Sequence, residues 1–416
     1  MDFISSKNLF YLSKNVLTLM NSNIMEHGTR TAYIFWKMLQ QRGGLEKFEM
    51  AELSMLATLH DIGAYRTDDV DNMLFFEMKE YMPHSIYGYL FLKYLSPMEE
   101  QSRMLMYHHL DYSQIERLNF PFKEETAMLA LAEKIDIYRK TLGDRFDASV
   151  IEKHVGGRYD KKACDHYRSA EEYYNISGKL SDGSYVMELD SLMKYLIFTN
   201  EEKRSYMEMM MYCIGLKYQQ KVIDSVTTLC TCEELAERFY LDEKEAEKLY
   251  YAAVIHDIGM LAIPSDIVEA ERKLSEDEMA KMRTHVDIAE GVLRDVLDED
   301  IIMIASAHHE RLDGSGYPKG LKEFEMTISQ QILQVADMIT GLINDRPYKP
   351  ALKKEAVISI LQQEVSKHKL SKQIVETVIV KYDEIIKKVK TESEKILTLQ
   401  NRLISQYEQV KVKFAG

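Results

Sequence analysis

Apolar residues recur three and four positions apart along most of the chain, as in Leu53, Leu56 and Ala57 leading to His60, or Leu249, Ala252 and Ala253 leading to His256. That spacing predicts amphipathic helices, and with only seven prolines in 416 residues it predicts a chain made almost wholly of them. Between about Asp144 and Asn200 the pattern loosens, and Gly156, Gly157, Gly178 and Gly183 fall among charges. This stretch reads as a connection or small insertion before a second domain. Near the C-terminus Tyr382, Val389, Ile396, Leu403 and Val410 recur every seven residues without a proline, which predicts one long helix. Glu392 and Gln406 interrupt its seam, so a dimerising coiled coil and packing on the chain's own domains both stay open.

The hydrophobic pattern also repeats on a larger scale. Thr58–Gly63 reads TLHDIG, and 196 positions later Val254–Gly259 reads VIHDIG. After each comes a His with a Gly shortly beyond it, then a His-His pair, then an acidic residue. These are His84, Gly88, His108, His109 and Glu133 in the first half, and His285, Gly291, His308, His309 and Asp337 in the second. With His27, nine of the twelve histidines fall into these two ordered sets. A lone histidine on a helix is usually a packed or solvated residue; an ordered set repeated twice points to metal ligation.

Imidazole nitrogens with a few carboxylates suit borderline divalent ions and argue against calcium. Neighbours on a helix point about 100° apart, so in an adjacent His-Asp pair the His can hold one ion while the carboxylate bridges to a second. Gly63 and Gly259, two residues beyond each pair, read as helix C-terminal caps that set the pair at a helix end. A water trapped between two ions becomes hydroxide near neutral pH and can attack phosphorus in line. The chain has no nucleophile elbow, phosphate-binding Gly loop or dinucleotide fingerprint to anchor a rival chemistry.

The residues now on the page resemble a known family. From about Asp224 to Ala351 the chain is similar to HD-GYP domains: HDIG at His256–Gly259, then His285, HHERLDGSGYP from His308 to Pro318, VAD ending at Asp337, and RPY at Arg346–Tyr348. From about Met25 to Asp144 it resembles the HD superfamily more generally, with HGTRTAY placing His27 and Arg30 at the family's early His and Arg. The resemblance implies an all-α HD-superfamily fold, a di- or trinuclear metal centre, and hydrolysis of cyclic dinucleotides, typically cyclic di-GMP. The chain departs from the pattern in places. Asp224 and Thr227 stand where the second half should carry His and Arg, Met260 and Ala64 replace a phosphate-holding Lys, and the first half has no GYP loop.

On this basis residues 1–145 are expected to form an HD-type metal-binding domain, 146–200 a connection, 201–380 an HD-GYP-like domain, and 381–416 the long helix. By resemblance His27, His60, Asp61 and Glu133 hold one ion of the first site and Asp61, His84, His108 and His109 the other, with Asp136 in reserve. Asp224, His256, Asp257, His285, His308, His309 and Asp337 play the parallel parts in the second. Asp61 and Asp257 are the expected catalytic carboxylates. Arg30, Arg311, Asp313, Gly316, Tyr317 and Arg346 are the expected substrate contacts, although Arg30 has the alternative of pairing with a carboxylate. Each active domain is expected to take two transition-metal ions, iron or manganese first, with zinc, nickel or magnesium as alternatives.

Composition narrows the partners. With 46% hydrophobic residues the chain has apolar material for two cores. Its net charge of −14 disfavours a nucleic-acid polymer and leaves a small nucleotide anion drawn to a local metal. No segment reads as a signal peptide or a membrane span, and four unpaired-looking cysteines fit a reducing compartment, so a cytoplasmic protein is expected. A homodimer through the C-terminal helix and a signalling-protein partner remain open. The rival functions are a degenerate sensor or docking module that binds without turnover, and a diiron centre for oxygen chemistry.

Overall fold

The computed structural model describes residues 3–66, 82–345 and 350–414, so the expected contact Arg346 and the rest of the RPY motif lie outside the described residues. The fold is all-α. Among the described residues the only extended pairings are isolated bridges, Val155 with Tyr159 and Asp313 with Lys322. No helix among them is long and apolar enough to cross a membrane. The chain folds as two compact units, one of residues 21–205 with 402–416, the other of residues 1–20 with 206–401.

In the unit of residues 21–205, the helix Ser22–Arg42 packs against Lys47–Thr58 and Lys123–Leu142. An Asn21 cap starts the first of these by accepting from the backbone of Asn23 and Ile24. Gly28 lets it approach closely, since a Cβ there would overlap the Thr58 carbonyl, and this brings His27 beside His60. Residues 161–193, expected as part of a connection, are built into this core. Ala163, Tyr167 and Ala170 bury one face of the helix Lys161–Tyr174, while Glu188 accepts from Tyr33 at 3.0 Å and pairs with Lys37 at 2.9 Å. The glycines that loosened the sequence pattern include the cap Gly183, which has positive φ.

In the other unit the helix Ser6–Thr18 buries Leu9, Leu12, Val16 and Leu17. Asn8 and Asn15 on this helix donate to the Val296 and Val292 carbonyls at 3.0 and 3.1 Å. The first twenty residues therefore belong with residues 206–401, because their apolar stripe and two amides are satisfied there. The helices Gln219–Arg238, Glu243–Ile255 and Ile328–Ile343 form the centre of this unit. Met207, Met209, Met210 and Met211 are buried gap-fillers.

The last helix, Tyr382–Phe414, is continuous over 33 residues. Tyr382, Val389 and Leu403 of its seven-residue seam are buried within the chain itself. These three positions pack within the chain, whereas Ile396 and Val410 of the same seam are only partly buried.

Candidate metal centres

The His-Asp pair of each unit sits where a helix tightens into a short 3₁₀ turn, Lys47–Thr58 into Ile62–Arg66 and Glu243–Ile255 into Ile258–Ala262. Gly63 and Gly259 are not C-terminal caps with positive φ, as the sequence suggested. They are glycine because the next helix seats its first turn on them. A Cβ at Gly63 would overlap the His84 carbonyl oxygen and lie 2.5 Å from the Gly88 nitrogen; one at Gly259 would overlap the His285 carbonyl oxygen and lie 2.9 Å from the Ala289 nitrogen. Each glycine thus docks the histidine that follows the His-Asp pair, His84 or His285, against that pair.

In the first unit all seven expected ligands converge. The donor atoms of Asp61, His84, His108 and His109 lie within 4.8 Å of one another, as do those of His27, His60 and Asp61, and those of His60, His108 and Glu133. Asp61 joins the groups: its Oδ2 is 3.1 Å from His60 Nε2 and 3.9 Å from His27 Nε2, and its Oδ1 is 3.6 Å from His84 Nε2 and 3.8 Å from His108 Nε2. The rings are aimed by their other nitrogens. His60 Nδ1 lies 2.9 Å from the Ala57 carbonyl, and His108 Nδ1 lies 2.6 Å from that of Leu105. This fixes the Nδ1–H tautomer and turns Nε2 inward. His60 Nε2, Asp61 Oδ1, His108 Nε2 and Glu133 Oε2 are all buried without a hydrogen-bonding partner. Four such orphans in one cluster would be costly unless a cation satisfies them, and the donor set fits a borderline divalent ion.

The electrostatics agree. Burial, the largest influence, pushes the Asp61 carboxyl upward, yet His60, His108 and His84 together hold it well below the usual carboxylate range. Burial takes the His84 imidazole down to about 4 and His109 well below its ordinary value, so both rings are neutral at pH 7 and can ligate. His60 goes the other way: burial lowers it, but Asp61 and then Glu133 raise it to about 9. In the metal-free chain this pair contributes stability that is fully present below about pH 6.5 and is lost as pH rises through about 9. An ion must displace that proton. Manganese binding to the first unit is therefore expected to release roughly one proton at pH 7 and to tighten by up to about tenfold per pH unit toward pH 9. Calorimetry in two buffers of different ionisation heat reads the release, and binding without proton uptake by the buffer would contradict this electrostatic picture.

Two first-unit assignments change. Asp136 is no reserve ligand, since its Oδ2 lies 2.7 Å from His27 Nδ1 and so orients that ring. Arg30 grips the same carboxylate at 2.7 and 3.0 Å, so it takes the carboxylate alternative and is not presented to a substrate. The sequence marks Asp136 as one turn after Glu133 on the same helix face, but its orienting role follows from the contact with His27.

In the second unit His285, His308 and His309 have donors within 4.8 Å of one another. Asp257 Oδ1 lies 3.5 Å from His285 Nε2 and 3.7 Å from His308 Nε2, and Asp337 is 3.6 Å from His309 Nδ1. His256 Nε2 stands off at 3.9 Å from Asp257 Oδ2. Asp224 does not join: its Oδ1 accepts from Asn344 at 2.9 Å. Lys221, which the sequence reading passed over, brings its ammonium to 3.5 Å from Asp257 Oδ2. Burial pushes the Asp257 carboxyl up, but Lys221 first and then His256, His285 and His308 hold it well below the ordinary range.

The Asp313–Pro318 loop is ordered from behind. The buried Glu310 carboxylate accepts from the backbone of Lys319, Gly320 and Leu321 at 2.7, 3.1 and 2.9 Å. Gly316 packs flat on the Glu310–Arg311 backbone with no room for a Cβ, and Asp313 accepts from Ser315 N at 2.9 Å to form a turn. Those two expected contacts are thus explained by loop structure. Tyr317 remains facing the site, its ring 4.8 Å from that of His309, with the Arg283 guanidinium 5.0 Å from the Tyr317 ring centroid. Arg311 donates to the Glu310 carbonyl at 2.8 Å. Glu310→Ala would leave three backbone donors unpaired, with an expected cost of roughly 3 kcal/mol or more and a melting temperature lower by about 6–12 °C. A thermal melt unchanged within a degree would refute this role.

Two buried His/Asp clusters behind HD-x-G turns make this helical chain similar to proteins of HD type. Residues 208–373 match the family model described as HD domain. Over 411 residues it is 23% identical to the 3'3'-cGAMP-specific phosphodiesterase 1 of Vibrio cholerae, covering 90% of this chain and 91% of that protein. It is 38% identical over 130 residues to the cyclic di-GMP phosphodiesterase response regulator RpfG of Xanthomonas campestris, covering 30% of this chain and about a third (34%) of that one. The crystal structure of a cyclic GMP-AMP specific phosphodiesterase of Vibrio cholerae, V-cGAP3, superposes with a TM-score of 0.55 at 14% identity, covering 91% of this chain and 98% of that chain. That likeness concerns the fold alone.

Proposed function

We propose that this chain is a metal-dependent phosphodiesterase that hydrolyses a cyclic dinucleotide, with its working centre in the unit of residues 21–205. That it is a phosphohydrolase rests on the HD family and on relatives bearing phosphodiesterase names. The observation that carries the choice of centre is the convergence of four buried, unpartnered donors in the first unit. His27, His60, Asp61 and Glu133 would hold one divalent ion there, and Asp61, His84, His108 and His109 the other. When bound, such a pair supplies a water-derived nucleophile near neutral pH and neutralises charge on the phosphoryl oxygens. The chain's own part is to hold the donors dry and aimed, through Ala57, Leu105 and Asp136 behind the rings.

The substrate we favour is 3'3'-cGAMP, because the relative so named matches nearly end to end; cyclic di-GMP is the second choice, from the shorter matches. One observation supports turnover in the second unit instead: Tyr317 lies beside His309 with Arg283 against its ring, an aromatic face and a cation suited to a base and a phosphate. Protein purified anaerobically with manganese or iron, incubated with each nucleotide and resolved by chromatography, tests the proposal. Full metal occupancy with no turnover of either nucleotide would replace it with a binding module.

A further inference from the structure

The two bridging carboxylates have nearly the same surroundings on one side. Asp61 Oδ1 faces His84 and His108 at 3.6 and 3.8 Å; Asp257 Oδ1 faces His285 and His308 at 3.5 and 3.7 Å. On the other side they part. Asp61 Oδ2 faces two imidazoles, His60 at 3.1 Å and His27 at 3.9 Å, whereas Asp257 Oδ2 faces His256 at 3.9 Å and the Lys221 ammonium at 3.5 Å. An imidazole offers a lone pair to a metal, and an ammonium has three donors and none to give. Asp224, which follows the order of His27 along the chain, is turned to Asn344. Lys221 reaches the carboxylate from one turn earlier on the same helix, Gln219–Arg238.

We propose that the second unit is a one-ion centre, in which the Lys221 ammonium takes the place that a second cation would occupy on Asp257. A divalent ion and an ammonium on one carboxylate oxygen repel each other in a buried setting. The donors of His285, His308 and His309 lie together, and the other Asp257 oxygen faces two of them at 3.5 and 3.7 Å, a set that suits one ion. The first unit holds an exchangeable pair and the second a single ion beside a permanent charge. This inference rests on the metal-centre part of the proposed function, not on the substrate.

The test is a metal count on the full chain, stripped with chelator, reloaded with manganese, desalted, and read by mass spectrometry and electron paramagnetic resonance. About three manganese ions per chain are expected in the wild type and about one in Asp61→Ala, with the six-line signal of an isolated ion. Lys221→His should raise the wild-type count to about four, and in the Asp61→Ala background to about two with a spin-coupled signal. Lys221→Met serves if the histidine variant does not fold, with the same direction of change. Four ions in the wild type, none or two in Asp61→Ala, or a count that does not rise in a folded Lys221 variant would each overturn the proposal. A wild type that binds no manganese would remove the metal-centre reading itself, a distinct result.

Discussion

Asp61→Ala should lower cyclic-dinucleotide hydrolysis by about 10³-fold or more, because one side chain carries both oxygens that join the first-unit ligands. Loss of a carboxylate shared by two ions removes both ions together, so manganese content and activity should fall in step. Fold should survive: His60 keeps its bond to the Ala57 carbonyl, and His108 its bond to that of Leu105. Asp257→Ala is the matched control. If the first unit is the working centre, that variant retains most of the rate; if Asp257→Ala abolishes turnover and Asp61→Ala does not, the assignment moves to the second unit. Asp61→Asn, which keeps shape and removes charge, should behave like the alanine variant.

Gly63→Ala is expected to be nearly as damaging, through packing and not through ligation. The added methyl collides with the His84 carbonyl and presses on Gly88 N; backbone cannot yield as a flexible side chain would. A cost of roughly 3 kcal/mol or more is expected, with a melting temperature lower by about 6–12 °C for a unit of this size. Any surviving fold displaces His84 from Asp61, and a shift near 1 Å costs on the order of 10²-fold in rate. Since the two units have separate cores, the melt should resolve into two steps, with only the first-unit step lowered. Gly88→Ala is the contrast. Its methyl would meet side chains of Ile62 and Leu105 at 3.5 and 3.6 Å and Gly63 N at 3.3 Å, so a much smaller loss is expected, and equal losses at the two positions would contradict this account.

Sequence alone determined the helical class, the twofold repetition and the candidate ligands of the first unit, whose donor atoms the structure brings together. Helical period and the recurrence of His-Asp, His and His-His in one order are properties of the chain, and they hold whatever the packing. The sequence could not decide what each residue faces. Gly63 and Gly259 looked like caps because two residues past a helix is where caps fall, but a contact with His84 or His285, more than twenty positions away, dictates them. Arg30 and Asp136 changed roles for the same reason: their pairing spans 106 positions, and only the crossing of two helices brings it about. Lys221 carries no motif at all, and its importance comes from helix geometry that extends it to Asp257 across 36 positions. Ligand types are written in the chain, whereas the sign and placement of the charges around them are set by which helices pack together.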